Sequence, residues 1–168
     1  SLINPYPYAT KIAPTVAARV ERREPVDLQR IEERFFQLSL LHEIIIIDTI
    51  GGLLSPLNED ETNLDMALRL GAEAVVVGHG RIGTINHSLL TVFHAHNTGL
   101  HVDGVLINAH TTTKVGLIER TNPQEIRRLC PAPFLGILPW VDGVDMDTGA
   151  IHGLADEVNR RIDVESLL

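Results

Sequence analysis

The chain carries a single cysteine, Cys130, in 168 residues. No internal disulfide can form, and the lack of a cysteine framework is consistent with a reducing, cytoplasmic compartment. Aromatic residues make up only 4%, too few for a ladder of rings on which bases could stack. Basic residues are outnumbered, 14 against 22 acidic, for a formal charge of -8. That balance argues against nucleic acid as a partner, because such a surface needs a basic patch or stripe. No apolar run approaches the roughly 18 residues that cross a bilayer, so no membrane association is expected. The opening SLINPYPYATKIAP has neither a charged n-region nor an apolar h-region and does not read as a secretory signal. Also missing is any G-x-x-x-x-G-K-[ST] stretch, the loop whose backbone N–H groups and lysine hold nucleotide phosphates. Repeats, heptads and internal linkers are absent as well, so residues 1–168 read as one domain.

What is present is an α/β pattern. The stretch Glu43 to Leu57, EIIIIDTIGGLLSPL, joins four consecutive isoleucines to a glycine turn. Ile44 to Ile47 lack polar alternation and predict a central parallel strand covered on both faces. Asp48 then falls at the C-terminal end of that strand, where open α/β sheets place ligands. Gly51 and Gly52 allow positive φ and close backbone approach to a bound group. Prolines 5, 7, 14 and 25 leave the first 25 residues irregular, ahead of a helix over 27–41. Further helices are expected over 62–70, 86–97, 123–129 and 155–162, with strands over 74–77, 102–108 and 134–138 and a polar loop over 110–114. Strands alternating with helices at short intervals predict parallel β-α-β units with helices on both sheet faces.

Other patterns carry less. Gly78-His79-Gly80-Arg81-Ile82-Gly83 matches G-x-G-x-x-G in letters. The acidic residue that a dinucleotide fingerprint wants at the end of the next strand is missing, since Asp103 lies at the beginning of that strand. His94 and His96 are two apart on a helix and diverge, and His87 lies two turns from His94, so these histidines read as solvated. Cys130 has no zinc-like spacing around it. Ser55 lacks a nucleophile elbow. The run Asn58 to Glu61 suits a solvated loop leading to a helix N-terminus.

Several segments together resemble the dethiobiotin synthetase family. They are Asn4-Pro5-Tyr6, Ala13-Pro14, Ala17-Ala18-Arg19, Gly51-Gly52-Leu53-Leu54-Ser55-Pro56-Leu57, Gly83-Thr84-Ile85-Asn86-His87-Ser88-Leu89-Leu90-Thr91, Val105-Leu106-Ile107-Asn108, and Pro133 to Trp140. They follow the family's order and cover the C-terminal two-thirds or so of a member. The resemblance implies a P-loop NTPase-like, Rossmann-like three-layer α/β domain that lacks its first strand and phosphate loop. It also implies ATP and Mg2+ as cofactors. Asp48 matches the metal-associated glutamate, one methylene shorter, and Gly51 and Gly52 match the turn beside the nucleotide phosphates. Asn108 matches the adenine-contacting asparagine, although the acidic residue that commonly follows is Ala109 here. Pro139, Trp140 and Val141 match the segment lining the base. Gly83, Thr84 and Asn86 match the turn that reaches across a homodimer to the partner's diamine substrate; on the residues alone, Asn86 also suits a helix N-cap.

The function implied by this resemblance is ATP-dependent ureido ring closure, converting diaminopelargonate, CO2 and ATP to dethiobiotin in biotin biosynthesis. A separate phosphate-loop segment would be needed for it. The alternative is a noncatalytic homologue that binds a nucleotide or a partner through the same surfaces. An amide-forming relative of the cobyrinate diamide synthetase type is a third reading.

Overall fold

The structure, a computed structural model, describes residues 3–109, 116–145 and 147–167. The expected polar loop over 110–114 lies outside them. The chain divides at Ala72/Glu73 into two units.

The first unit is helical among its described residues. Helix α1, Pro14–Glu21, forms where the prolines had predicted irregular chain. Pro14 sits at the first turn, where its missing N–H costs nothing and its φ is already helical. Helix α2, Leu28–Ser39, begins at Asp27, whose side chain accepts from the Gln29 N–H. Helix α3, Asn63–Leu70, opens with a capping box in which Thr62 and Asp65 satisfy each other's backbone N–H. The hydroxyl and N–H of Thr62 hold the Asp65 carboxyl below its ordinary range. Val26, Leu28, Leu57 and Met66 make the core, with Tyr6, Tyr8, Ile31, Ile47 and Leu70 packed against it. Arg23 lies over the Tyr8 ring and Arg30 over the Tyr6 ring, which ties the opening segment to α2 and its approach.

Residues 44–47 correct the expectation of a buried central strand. They enter no ladder among the described residues. Ile44 and Ile46 are 64% and 90% exposed, while Ile45 and Ile47 are half-buried. Burial thus alternates along the run, with Ile47 packed against the core, and with no paired strand among the described residues the segment is not sandwiched.

The second unit holds the sheet. Its elements are β1 Ala74–His79, α4 Thr84–Asn97, β2 Val102–Asn108, α5 Leu117–Leu129, β3 Phe134–Leu138, a hairpin of β4 Val144–Asp145 and β5 Ala150–Ile151, and α6 Leu154–Arg161. The order is β1-β2-β3, with both pairings parallel. β2 and β3 have the bounds expected from sequence. β2 is central, and Val102, Val105 and Ile107 are at most 2% exposed. Val92 and Ala95 of α4, Ile126 of α5 and Leu135 of β3 complete the core. The outer edge of β3 is capped by an antiparallel bridge from Gly136 to Ile162. β1, by contrast, pairs only with β2 among the described residues.

Three boundaries differ from expectation. β1 continues through Gly78 and His79, so Gly78 is a strand residue and the turn begins at Gly80. α4 begins at Thr84 behind an N-cap Gly83, which removes Asn86 from the N-cap role. α5 begins six residues earlier than Pro123 and accommodates that proline in its interior.

Candidate functional site

The C-terminal ends of the three parallel strands lie level. His79 pairs with Asn108, and Asn108 with Leu138. The Gly80 N–H donates to the Asn108 carbonyl at 3.3 Å, and the Ala109 N–H to the Leu138 carbonyl at 2.8 Å. The ladder therefore brings Asn108 and the segment Pro139–Val141 to one sheet end, with the Asn108 amide left out of these backbone bonds. Pro139 and Val141 are half-buried. Trp140 is 47% exposed, and its indole N–H donates to Asp142 Oδ1 at 2.7 Å.

From the same end of β1 the chain turns into α4. A cleft of ≈ 210 Å³ lies there, lined by Val76 to His79 of β1, by Arg81 and Ile82 of the turn, and by Thr84, His87, Ser88 and Thr91 of α4. Gly83 has φ +93 and caps the helix without a side chain. That conformation favours glycine, and a Cβ there would also stand 3.3 Å from the His87 ring. The Thr84 N–H turns back to the Arg81 carbonyl at 3.2 Å. First-turn N–H groups lack intrahelical acceptors, and the helix dipole makes this end positive. Gly83 and Asn86 are exposed, whereas Thr84 is buried and directs its side chain inward. Thr84 Oγ1 and Ser88 Oγ both sit in the sheet–helix contact without a hydrogen-bond partner. They crowd Gly78, where a Cβ would lie 2.9 Å from Thr84 Oγ1 and 3.0 Å from Ser88 Oγ. Sequence reasoning assigns no site role to Arg81, His87 or Ser88, and reads His87 as solvated, although all three lie in strings it singles out.

The remaining candidates belong to the first unit. Asp48 is exposed, just after the isoleucine run. Gly51 has φ +84 and Gly52 has open space where a side chain would be. The Ser55 hydroxyl accepts from the Gly52 N–H at 3.0 Å. Asn63, 3% exposed, straps the turn by donating to the carbonyls of Ile50 and Gly52 at 3.2 and 2.9 Å. Its role was not readable in advance, because an asparagine at a helix start looks like a capping residue and nothing local marks the turn it holds.

Residues 1–148 match a family model described as AAA domain. The parallel sheet with its candidate residues at the strands' C-terminal ends is of that P-loop NTPase-like class. A chain of the MinC:MinD cell division protein complex of Aquifex aeolicus shares the fold, with a TM-score of 0.50 and 14% identity over 82% of this chain and 50% of its own. The ATP-dependent dethiobiotin synthetase of Thermodesulfovibrio yellowstonii is 32% identical over 99% of this chain and 70% of its own length. That of Bacillus subtilis (strain 168) is 32% identical over 94% and 67%, and that of Anaeromyxobacter sp. (strain K) 39% identical over 82% and 61%. The chain belongs to the dethiobiotin synthetase family.

Proposed function

We propose that the chain serves ATP-dependent ureido ring closure, the conversion of diaminopelargonate and CO2 to dethiobiotin in biotin biosynthesis. The observation that carries this reading is the meeting, at one end of the sheet, of the α4 N-terminus and its cleft with Asn108 and Pro139–Val141. The positive end of α4, with Gly83 open to close approach and Arg81 on the cleft wall, suits the carboxylate of the diamine. Asn86 is exposed on the first turn and adds an amide that can donate or accept; Thr84 contributes by seating the helix on β1. By family correspondence these residues serve the substrate of a partner subunit in a homodimer. The Asn108 amide can donate and accept at once along a purine edge, with Pro139, Trp140 and Val141 lining the base.

Asp48, Gly51 and Gly52 take the phosphate side. Mg2+ is held by one or two carboxylates together with water and phosphate oxygens, and an exposed aspartate such as Asp48 fits as a single such ligand. Magnesium-ATP, when bound, supplies the phosphoryl group that makes a carbamate oxygen a leaving group. The open backbone at Gly52 leaves room beside the turn for phosphate oxygens. Because the 168 residues contain no phosphate-loop motif, the triphosphate cradle comes in this reading from a separate segment. The family model spans both units, which supports one domain. No helix among the described residues is long and apolar enough to cross a membrane, and the single cysteine supports a cytoplasmic site.

The test is phosphate release and product mass with magnesium-ATP, bicarbonate and diamine, with the chain alone and after addition of a phosphate-loop segment taken from a relative. Turnover is expected in the mixture and absent from the chain alone. A folded, reconstituted complex that never yields product would overturn the proposal.

A further inference from the structure

At the opposite end of the sheet, the N-terminal one, Glu73 precedes β1 while His101 precedes β2 and Asp103 is its second residue. Ladder register brings them together: Ala74 pairs with Val102, and the Ala74 N–H donates to the His101 carbonyl at 3.0 Å. Among the described residues this is the one place where three His, Cys, Asp or Glu ligand atoms lie within 4.8 Å of one another.

Two details set it apart from a chance grouping of surface charge. First, His101 Nε2 is 3.3 Å from Asp103 Oδ1. Nitrogen and oxygen ligands held at about 2.0–2.2 Å from a tetrahedral zinc ion stand about 3.3 Å apart, so this pair needs no closing movement. Glu73 is exposed and reaches the third position with a flexible side chain. Second, β2 carries an irregularity at Asp103: Ala74 pairs with Val102 but Val75 pairs with Gly104, leaving Asp103 without a partner in β1. A bulge of this kind re-aims a side chain, and here the bulged residue is the one whose carboxylate lies against the imidazole.

We propose that Glu73, His101 and Asp103 bind a divalent transition ion of the zinc class, with water completing the coordination. One imidazole and two carboxylates suit such an ion, whereas Mg2+ prefers oxygen ligands alone. β1 spans six residues, so the site lies roughly 20 Å from the C-terminal end of the strand at about 3.3 Å per residue. Its consequence is a clip: the ion fastens the first residue of the second unit to the start of β2. Because it binds the folded arrangement, it stabilises that arrangement as ion concentration rises.

The experiment titrates the metal-free chain with Co2+ and with Zn2+. It follows Co2+ visible absorption, the His101 imidazole resonances and the thermal midpoint, with far-UV circular dichroism confirming the fold of each variant. One equivalent is expected to bind with a raised midpoint. His101→Ala should abolish the saturable step, and Glu73→Gln should weaken it by about tenfold or more, the scale seen when supporting contacts of metal sites are removed. The double variant His94→Ala, His96→Ala should bind as the parent does. Absence of saturable binding by the parent chain would overturn the proposal, as would an unchanged equivalence point in His101→Ala or displacement of the ion by equimolar Mg2+.

Discussion

Ser88→Ala is expected to stabilise the protein. Ser88 is 2% exposed and its hydroxyl has no partner in the contact between β1 and α4. In the unfolded chain that hydroxyl is hydrated; folding removes the water and returns nothing. Stranding a polar group costs about 1–3 kcal/mol, and removing one oxygen atom forfeits a small part of that in lost packing. The net gain is about 1 kcal/mol, or about 2–4 °C in thermal midpoint for a chain of this size. Alanine is also the better helix former. Urea titration and thermal melts read the change directly. The companion variant is Gly78→Ala, whose new Cβ would meet Ile107 Cδ1 and Thr84 Oγ1 at 2.9 Å and Ser88 Oγ at 3.0 Å. It should cost about 1–3 kcal/mol alone. In the Ser88→Ala background about 0.5–1 kcal/mol should return, because the two sites share one contact. A Ser88→Ala protein less stable than its parent by 1 kcal/mol or more would mean that the hydroxyl is bonded in the folded state, and the reasoning would fail.

Ile126→Ala removes three carbons from a side chain that is 0% exposed. At about 0.8 kcal/mol per carbon plus a cavity cost, it should lower stability by about 3–4 kcal/mol in urea titration. Asn63→Ala frees the carbonyls of Ile50 and Gly52; it should cost about 1–2 kcal/mol and speed hydrogen exchange over residues 52–55, and unchanged exchange there would count against the strap. The Asp65 carboxyl is held low by the Thr62 hydroxyl and N–H. A depressed folded-state pKa contributes stability that is present above the unfolded value and lost as pH falls through the folded one. The stability difference between the parent and Asp65→Asn should therefore hold at neutral pH and shrink below about pH 4, as followed by urea titrations from pH 7 to pH 2.

Much of the second unit was legible because its signals are local. Val102 to Asn108 and Phe134 to Leu138 are short apolar runs flanked by turn residues, and both have the expected bounds. The helix expected from residue 62 likewise forms, with Thr62 as its N-cap. The misreadings came where one residue type carries two meanings. Pro14 reads as an interruption, yet proline at the first position begins a helix as readily as it ends one. The strand expected over 74–77 stops short of Gly78, yet the lack of a side chain there serves the approach of α4 to β1. Asn86 has the chemistry of an N-cap, and Gly83 holds that position. The isoleucine run shows the deeper limit: an apolar stretch reveals that chain is suited to burial, while its partners are decided elsewhere. For the same reason Glu73, His101 and Asp103 could not be joined by spacing, since only the β1–β2 register unites them.

The exposed faces of Ile44 and Ile46 have a consequence beyond the fold. A short segment of high β-propensity with no charge between residues 44 and 47 is the kind that stacks in register with copies of itself into dry, cross-β interfaces. Here Glu43 and Asp48 bracket it with negative charge, the gatekeeper arrangement that discourages such stacking. Where salt screens those two carboxylates, the guard weakens while the isoleucines stay as sticky as before. The solution life of the protein should therefore depend on these two flanking acids more than on the cohesion of its core.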